Sequence, residues 1–301
     1  MTGFTASRAM SIGIAGAGLL GRLLAWQLGR AGHAVSVFDP ALSEQPSFDA
    51  LRERVLARLA TALPGTPQAQ ALTAAQLADL EPALQGAAHA WLLPHEGQID
   101  PVAAMLALQM EAQGTQWHWS RSVTSVAPGA LTFSDGTQRS FDLVFDVRGT
   151  GSRPEVPVRG VRGETVWLHA PGHGLTRPVR LLHPRHRVYV VPRPGDILLV
   201  GASEIESEDR SPVSLRSAVE LMAAAHSVMP ALAEARIVQL DVNLRPALPD
   251  NEPHVEVEPG RVRINGLFRH GWLIAPALIE DALRDCALAP YLSEELSHDR
   301  A

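Results

Sequence analysis

The stretch that decides the fold lies close to the amino terminus, where residues 11–39 read SIGIAGAGLLGRLLAWQLGRAGHAVSVFD. A short apolar run at 11–15 predicts a β-strand, and apolar residues at helical spacing over 19–28 predict an α-helix. A second apolar run at 34–38 predicts another strand. Three glycines separate the first strand from the helix, so the order is strand, glycine turn, helix and strand.

The glycine turn has the spacing of a phosphate-binding fingerprint. Gly16 permits the tight turn, Gly18 lets a pyrophosphate approach the backbone, and Gly21 lets the helix pack closely on the strand. Leu19 and Leu20 open the helix, whose free N–H groups and positive dipole end face the phosphates. The pattern predicts a dinucleotide-binding site.

Asp39 ends the second strand, where a carboxylate can accept a hydrogen bond from a ribose hydroxyl. The same carboxylate would repel the 2′-phosphate of NADP. This motif therefore favours FAD or NAD and does not separate them.

The composition excludes several classes of protein. The 301-residue chain is 46% hydrophobic and 19% charged, as is ordinary for a globular protein. Its net charge of -6 argues against a nucleic-acid partner, which requires a basic surface. No apolar run reaches the roughly 18 residues of a transmembrane helix, and residues 1–10 lack the apolar segment of a secretory signal. We expect a cytoplasmic protein.

The reactive residue types narrow the chemistry further. All 26 basic residues are arginine, which excludes a Schiff-base lysine and a P-loop lysine. The single cysteine, Cys286, excludes an internal disulfide and a multi-cysteine metal site, and no two histidines have ligand spacing on a helix. We expect no metal.

The remainder of the chain changes character twice. Residues 40–88 are rich in alanine and predict mainly helix, and Pro101 starts another predicted helix. Beyond Gly151 the apolar runs are mostly strand-like, apart from a helical pattern at 213–228 and a closing helix predicted from Pro276. This order predicts two interleaved domains.

Six later segments, taken in order, resemble the FAD-dependent amino-acid oxidase family, and within it the bacterial glycine oxidases of thiamine biosynthesis. They are residues 95–101 (HEGQIDP), 160–164 (GVRGE), 188–193 (VYVVPR), 200–204 (VGASE), 244–250 (LRPALPD) and 266–276 (GLFRHGWLIAP). The resemblance extends from Glu81 to the end and includes the amino-terminal unit. It implies that the dinucleotide is FAD.

The resemblance implies a substrate clamp. An arginine fork binds a carboxylate through two parallel charge-assisted hydrogen bonds, as a small amino-acid substrate requires. Arg245 matches the family arginine in that role, the Tyr189 hydroxyl matches a group that orients the same carboxylate, and Arg269 lies near the substrate. A salt-bridging Arg245, a core-packed Tyr189 and a solvent-exposed Arg269 remain the structural alternatives.

The resemblance also implies cofactor contacts late in the chain. The resemblance puts the segment of His270, Gly271, Trp272 and Leu273 beside the flavin ring. The N-terminus of the helix opened by Pro276 would face the flavin's pyrimidine edge, where reduction creates negative charge that a helix N-terminus stabilises. The turn holding Gly149 and Gly151 would pass close to the pyrophosphate.

The implied fold class is an α/β two-domain flavoprotein, in which a Rossmann-like FAD domain is interleaved with a mostly antiparallel β substrate domain. The expected FAD domain comprises residues 1–84, 101–155 and 255–301. The expected substrate domain comprises residues 85–100 and 156–254.

The implied reaction is oxidation of glycine or another small amino acid to its imine, with oxygen as acceptor and hand-off of the imine to thiazole synthase. The chain departs from the family after Asp39, where a segment that ends in a loop beside the flavin is missing. Two alternatives therefore stay open: a same-fold dehydrogenase that uses another acceptor, and a truncated, non-catalytic flavin-binding relative. Homo-oligomerisation also stays open.

Overall fold

The computed structural model describes residues 9–41, 70–87, 89–94, 97–182 and 187–288, with the side chains of residues 182 and 187 left out. The chain divides into two compact units. The first unit comprises residues 1–61, 101–159 and 245–301, and the second comprises residues 62–100 and 160–244.

Strands and helices alternate at first, and strands then dominate. In chain order the described elements are β1 (Ser11–Ala15), α1 (Leu19–Arg30), β2 (Ala34–Phe38), β3 (Gln70–Leu72), α2 (Ala74–Leu80), β4 (Ala90–Leu92), α3 (Pro101–Glu111), β5 (Gln116–His118), β6 (Val123–Ala127), β7 (Ala130–Phe133), β8 (Gln138–Ser140), β9 (Leu143–Asp146), β10 (Arg159–His169), β11 (Val179–Leu182), β12 (Arg187–Arg193), β13 (Ile197–Gly201), α4 (Leu215–Val228), β14 (Arg236–Ala247), β15 (His254–Glu258), β16 (Arg261–Asn265) and α5 (Gly271–Asp285). Turns of 3-10 helix lie at Gly149–Ser152 and Pro230–Glu234.

The main sheet of the first unit has the order β15-β16-β9-β1-β2-β5. Its described pairings are parallel except at the edge, where β15 runs antiparallel to β16. Ile12 and Ile14 of β1 are fully buried, and Leu24 and Leu28 of α1 belong to the same apolar cluster. Burial on both faces explains why β1 and β2 appear in the sequence as continuous apolar runs.

The second unit contains the sheet β11-β12-β13-β10-β14. The pairs β11 with β12, β12 with β13 and β10 with β13 are antiparallel. Alternate residues such as Val166, Val190 and Leu198 are buried in one cluster with Leu221 and Ala225 of α4. Helix α4 therefore covers one face of this sheet, as the period-two alternation of its strands requires.

The boundaries between the units differ from the sequence-derived ones. Residues 70–84 group with the second unit because β3 pairs with β4 and because buried Glu81 accepts hydrogen bonds from the Thr176 amide and hydroxyl. The predicted helix over 40–88 is wrong at β3, which is a strand, and residues 42–69 lie outside the described part. The roles assigned to the two domains stay predictions.

The predicted α/β fold class is confirmed. The fold combines a parallel Rossmann-like sheet and its helices with separate antiparallel sheets, including the small sheet β6-β7-β8. Among the described residues, no helix has the length and apolar character required to cross a membrane.

Candidate cofactor and substrate site

Each glycine of the first turn meets a different constraint. Gly16 has a φ of +105°, and a Cβ there would lie 2.9 Å from the Val147 carbonyl oxygen. At Gly21 a Cβ would lie 1.9 Å from the Gly16 carbonyl oxygen. Around the Cβ position of Gly18, by contrast, no atom of the described residues lies within 4 Å. Gly16 and Gly21 therefore maintain the turn, whereas Gly18 leaves open space for a ligand.

The N-terminus of α1 faces that open space. Gly18 is the N-cap and makes no side-chain cap, and no acidic residue occupies the first turn, which Leu19 and Leu20 begin. A helix end of this kind presents backbone N–H groups and partial positive charge to an anion.

Asp39 is held against the same turn. Its Oδ2 accepts a hydrogen bond from the Ala17 amide at 2.7 Å, and its Oδ1 accepts one from the Ala41 amide at 2.8 Å. Because each carboxylate oxygen has a second lone pair, Asp39 can still accept a hydrogen bond from a ribose hydroxyl.

A cleft of about 530 Å³ opens beside these groups, entirely within the first unit. It is lined by Ala17, Gly18, Leu19, Arg22, Asp39, Ala41, Pro101, Val102, Met105, Leu106, Trp119 and Trp272. Arg22 lies over the Trp119 ring at 5.3 Å and donates from Nε to the Ala17 carbonyl at 2.8 Å. The mixture of apolar walls, one carboxylate and a helix end suits a nucleotide.

The turn with Gly149 and Gly151 lies next to the glycine turn of α1. Strand β9 pairs with β1 so that Asp146 lies opposite Ala15, and Arg148 Cα is 3.3 Å from the Cβ position of Gly16. Gly149 has a φ of +57° and begins the 3-10 turn. The structure therefore brings together both of the turns predicted to approach the pyrophosphate.

A buried ion pair holds this second turn. Arg148 donates from Nε and Nη2 to the two Asp146 carboxylate oxygens at 2.8 Å each, and the Ser152 hydroxyl donates to Oδ1 at 3.0 Å. Burial by itself would raise the pKa of Asp146, but the hydrogen bonds and charge of Arg148, with Ser152, outweigh it and lower the pKa. Asp146 is thus a charged anchor beneath the turn.

The loop that carries Arg269 and His270 is also part of the first unit. Gly266 has a φ of +78° and Phe268 a φ of +45°, and both side chains at 269 and 270 are exposed. Helix α5 begins at Gly271, five residues earlier than the predicted start at Pro276. That prediction was wrong because the first turn is closed by Leu273 and Ile274 amides donating to the His270 carbonyl, which sequence periodicity does not reveal.

The earlier start of α5 changes the roles of its first residues. Gly271 now opens the helix, and Trp272 lies in the first turn and lines the cleft. Leu273 is 79% exposed and does not belong to the cleft lining. Pro276 lies inside the helix, where its missing N–H leaves the fourth preceding carbonyl, that of Trp272, without its helical donor.

Arg245 is half-buried near the end of β14. The next residue, Pro246, lies 3.5 Å from the Cβ position of Gly149 and accepts a hydrogen bond from the Phe268 amide at 3.0 Å. The strand end of Arg245, the Gly149 turn and the Arg269 loop therefore converge within the first unit.

Tyr189 belongs to the second unit, on β12. It lies opposite Gly201 of β13, and a Cβ at Gly201 would come within 2.5 Å of the tyrosine hydroxyl. The ring therefore lies across Gly201. That Tyr189 and Arg245 bind the same substrate carboxylate stays a prediction.

Sequence reasoning missed Arg193, which lies on the same face of β12 as Tyr189. It donates to Gln98 Oε1 at 3.3 Å, and its buried Nε has no hydrogen-bond partner among the described residues. Burial lowers the pKa of Arg193, although the neighbouring Asp100 and Tyr189 act in the opposite direction. The signal available in the sequence was the even spacing of Tyr189 and Arg193, which puts both side chains on one face of a strand. His95 and Glu96, in the resembling segment 95–101 that contains Gln98, lie outside the described residues.

No group of three or more histidine, cysteine, aspartate or glutamate side chains suited to a metal occurs in the described part of the chain. Cys286 is half-buried after α5, where burial raises the pKa of its thiol and Asp285 adds to the effect.

Comparison with known proteins gives a consistent result. The family model described as FAD dependent oxidoreductase (DAO) matches residues 41–281. A protein of Rhizobium etli named as a thiamine biosynthesis oxidoreductase, ThiO, is 39% identical over 210 residues, which are 69% of this chain and 61% of that protein. The bifunctional protein ThiO/ThiG of Synechocystis is 30% identical over 67% of this chain and 33% of its own length. This chain thus spans only part of these curated relatives.

Among solved structures, the glycine oxidase of Bacillus cereus superposes with a TM-score of 0.77 over 94% of this chain and 99% of its own. At 18% sequence identity, this similarity shows a shared fold.

Proposed function

We propose, from the premise that this chain belongs to the family of FAD-dependent oxidoreductases, that it oxidises glycine or another small amino acid to the corresponding imine. The family depends on FAD, so FAD is the cofactor. A protein of Bacillus licheniformis named glycine oxidase is 33% identical over 39% of this chain and 31% of its own length, and this name supports an amino-acid substrate, of which we favour glycine.

One observation carries the proposal: the strand end of Arg245 lies against the turn of Gly149. The Pro246 side chain lies 3.5 Å from the Cβ position of Gly149, and the Pro246 carbonyl accepts a hydrogen bond from the Phe268 amide of the Arg269 loop. Arg245 directly precedes Pro246, so the backbone that carries its guanidinium passes close to a turn expected to face the phosphates. This proximity supports a reaction between a small carboxylate-bearing substrate and the cofactor.

The described residues fit the cofactor. Gly18 leaves space at the helix end, Asp39 retains acceptor capacity for a ribose, and the cleft walls include Trp119 and Trp272. These residues would hold the adenosine and pyrophosphate parts of FAD. When bound, FAD supplies the oxidant that accepts two electrons from the substrate amine.

The chain's own contribution is to bind and orient the substrate. An arginine side chain always carries its proton in proteins, so an arginine at position 245 can bind a carboxylate without a proton transfer. The Tyr189 hydroxyl, whose ring lies across Gly201, would accept or donate a second hydrogen bond, and Arg269 would supply a further positive charge. Because orientation provides most of the rate enhancement in such a reaction, no strong acid or base is required.

We further propose that dioxygen is the final acceptor and that the imine is passed to thiazole synthase. Oxidation of the amine to the imine removes two electrons and two protons, and dioxygen takes up both to form hydrogen peroxide. The joint name ThiO/ThiG of the Synechocystis relative supports a connection between this oxidation and the following step of thiamine biosynthesis.

The oxidase and its two alternatives differ in peroxide yield, in turnover with an artificial acceptor and in the visible spectrum recorded without air. An oxidase forms one hydrogen peroxide for each glycine consumed. A dehydrogenase turns over only when an artificial acceptor is added. A non-catalytic relative binds FAD, and glycine leaves its visible spectrum unchanged in the absence of air.

The test of the substrate assignment is Arg245→Met, with Arg236→Met on the same strand as the matched control, because Arg236 is exposed and 73% of its side chain is accessible. Loss of the charge-assisted pair should raise the glycine concentration for half-maximal flavin reduction about 10- to 100-fold. The control should behave as the wild type. Unchanged half-saturation in Arg245→Met would show that the assignment of Arg245 is wrong.

A further inference from the structure

Asn265 lies between the segments that the proposed function uses. It is the last residue of β16, only 4% exposed, and it directly precedes the loop that carries Arg269. A buried primary amide has to satisfy two donors and one acceptor oxygen, so its partners identify what it holds.

One side of the Asn265 amide holds the Gly149 turn. Its Nδ2 donates to the Gly149 carbonyl at 3.0 Å and to the Ser152 hydroxyl oxygen at 3.2 Å. Ser152 in turn donates to Asp146, which is paired with Arg148. The amide is therefore part of the anchored network beneath the turn.

The other side of the amide holds the start of the Arg269 loop. Its Oδ1 accepts a hydrogen bond from the Gly266 amide at 2.8 Å. Gly266 needs its φ of +78°, and a Cβ there would come within 2.7 Å of Leu248, so this backbone has little freedom. The same loop returns to Pro246 through the Phe268 amide at 3.0 Å.

We propose that Asn265 is a positioning residue that couples the cofactor-facing turn to the Arg269 loop, so that order in one segment maintains order in the other. The inference deepens the proposed function, on which it rests for the roles of the two segments. Its physical basis is that removal of the amide leaves the half-buried Gly149 carbonyl and the buried Gly266 amide without their partner, a cost the two segments share.

The test uses the FAD-loaded enzyme and the variants Asn265→Ala and Ser152→Ala, with Asn243→Ala as the control. Asn243 is exposed, and the bond it makes among those described is a local one to the Leu244 amide. Two quantities are measured: the dissociation constant of FAD, from the recovery of flavin fluorescence, and the rate of tryptic cleavage after the exposed Arg269, from mass spectrometry.

Loss of the amide should weaken FAD binding about tenfold and accelerate cleavage after Arg269 by a similar factor. Ser152→Ala should change both quantities in the same direction and by less, and Asn243→Ala should change each by less than about twofold. If Asn265→Ala does not fold, the two readouts on Ser152→Ala decide the question.

Two outcomes would overturn the inference. If FAD affinity falls while cleavage after Arg269 stays at the wild-type rate, the segments are not coupled through this amide. If only the melting temperature falls, Asn265 is a packing residue. Neither readout needs turnover, so a wild-type enzyme that binds FAD and is not reduced by glycine refutes the proposed function alone.

Discussion

At the scale of single residues, glycines of one motif do different physical work. Gly21 is required because any side chain would meet the Gly16 carbonyl, at 1.9 Å from the Cβ position. Gly18 has an ordinary φ of -69° and open space around its Cβ position. The fold therefore tolerates a methyl group at Gly18, and a ligand that approaches the backbone would not.

This difference predicts opposite effects of two alanine substitutions. Gly21→Ala should destabilise the protein by about 1–3 kcal/mol or prevent folding, because the helix must move away from the turn. Gly18→Ala should retain the wild-type melting temperature without ligand but lose FAD affinity. Thermal unfolding and flavin titration of both variants measure the contrast. Normal FAD affinity in Gly18→Ala would refute the assignment of this turn to the pyrophosphate.

At the scale of elements, β12 and β13 cooperate to orient one aromatic ring. Their antiparallel register puts Tyr189 opposite Gly201, and the absence of a side chain at Gly201 lets the ring lie across the neighbouring strand. The orientation of the Tyr189 hydroxyl is therefore a property of the strand pair. It depends on a residue twelve positions away in the sequence.

The arrangement of this strand pair predicts that Gly201→Ala weakens substrate binding more than cofactor binding. The new Cβ would come within 2.5 Å of the tyrosine hydroxyl and displace the ring, so the KM for glycine should rise several-fold, by at least as much as in Tyr189→Phe. The FAD dissociation constant should change by less than about twofold. Steady-state kinetics and flavin titration on the three proteins provide the measurement, and an unaltered KM in both variants would remove Tyr189 from the substrate site.

At the scale of the whole molecule, the proposed cofactor site draws on three separate parts of the chain. Neighbouring strands β1, β9 and β16 come from residues 1–61, 101–159 and 245–301. Parallel neighbours require long crossover connections, so the chain has to leave the first sheet and return. Gly18, Gly149 and Arg269 belong to different parts, and the site exists only when the first unit is complete.

Because the site is assembled by folding, its ligand should stabilise the whole first unit. FAD at about 100 times its dissociation constant should add about 2.7 kcal/mol to the free energy of unfolding and raise the melting temperature by several degrees. ADP should give part of this effect, and FMN, which lacks the adenosine half, should give less than ADP. A protein stabilised by FMN and not by ADP would contradict the assignment of the cleft to the adenosine half.

Local features of the sequence were sufficient to predict the strand, glycine turn, helix and strand at residues 11–39. The φ freedom of Gly16, the close approach at Gly21 and the apolar runs of β1 and β2 are constraints between residues close in sequence, so their pattern specifies the turn and its neighbours. Asp39 follows for the same reason, since the end of the next strand returns to the glycine turn.

Only the tertiary structure decided which distant groups complete the site. The Trp119 wall of the cleft and the Asn265 amide between two loops had no sequence signal, because each depends on which segments the sheet order makes neighbours. The start of α5 at Gly271 and the grouping of residues 70–84 with the second unit have the same origin. The sequence by itself determined the local backbone chemistry of the glycine turn, and long-range packing decided which distant segments lie against it.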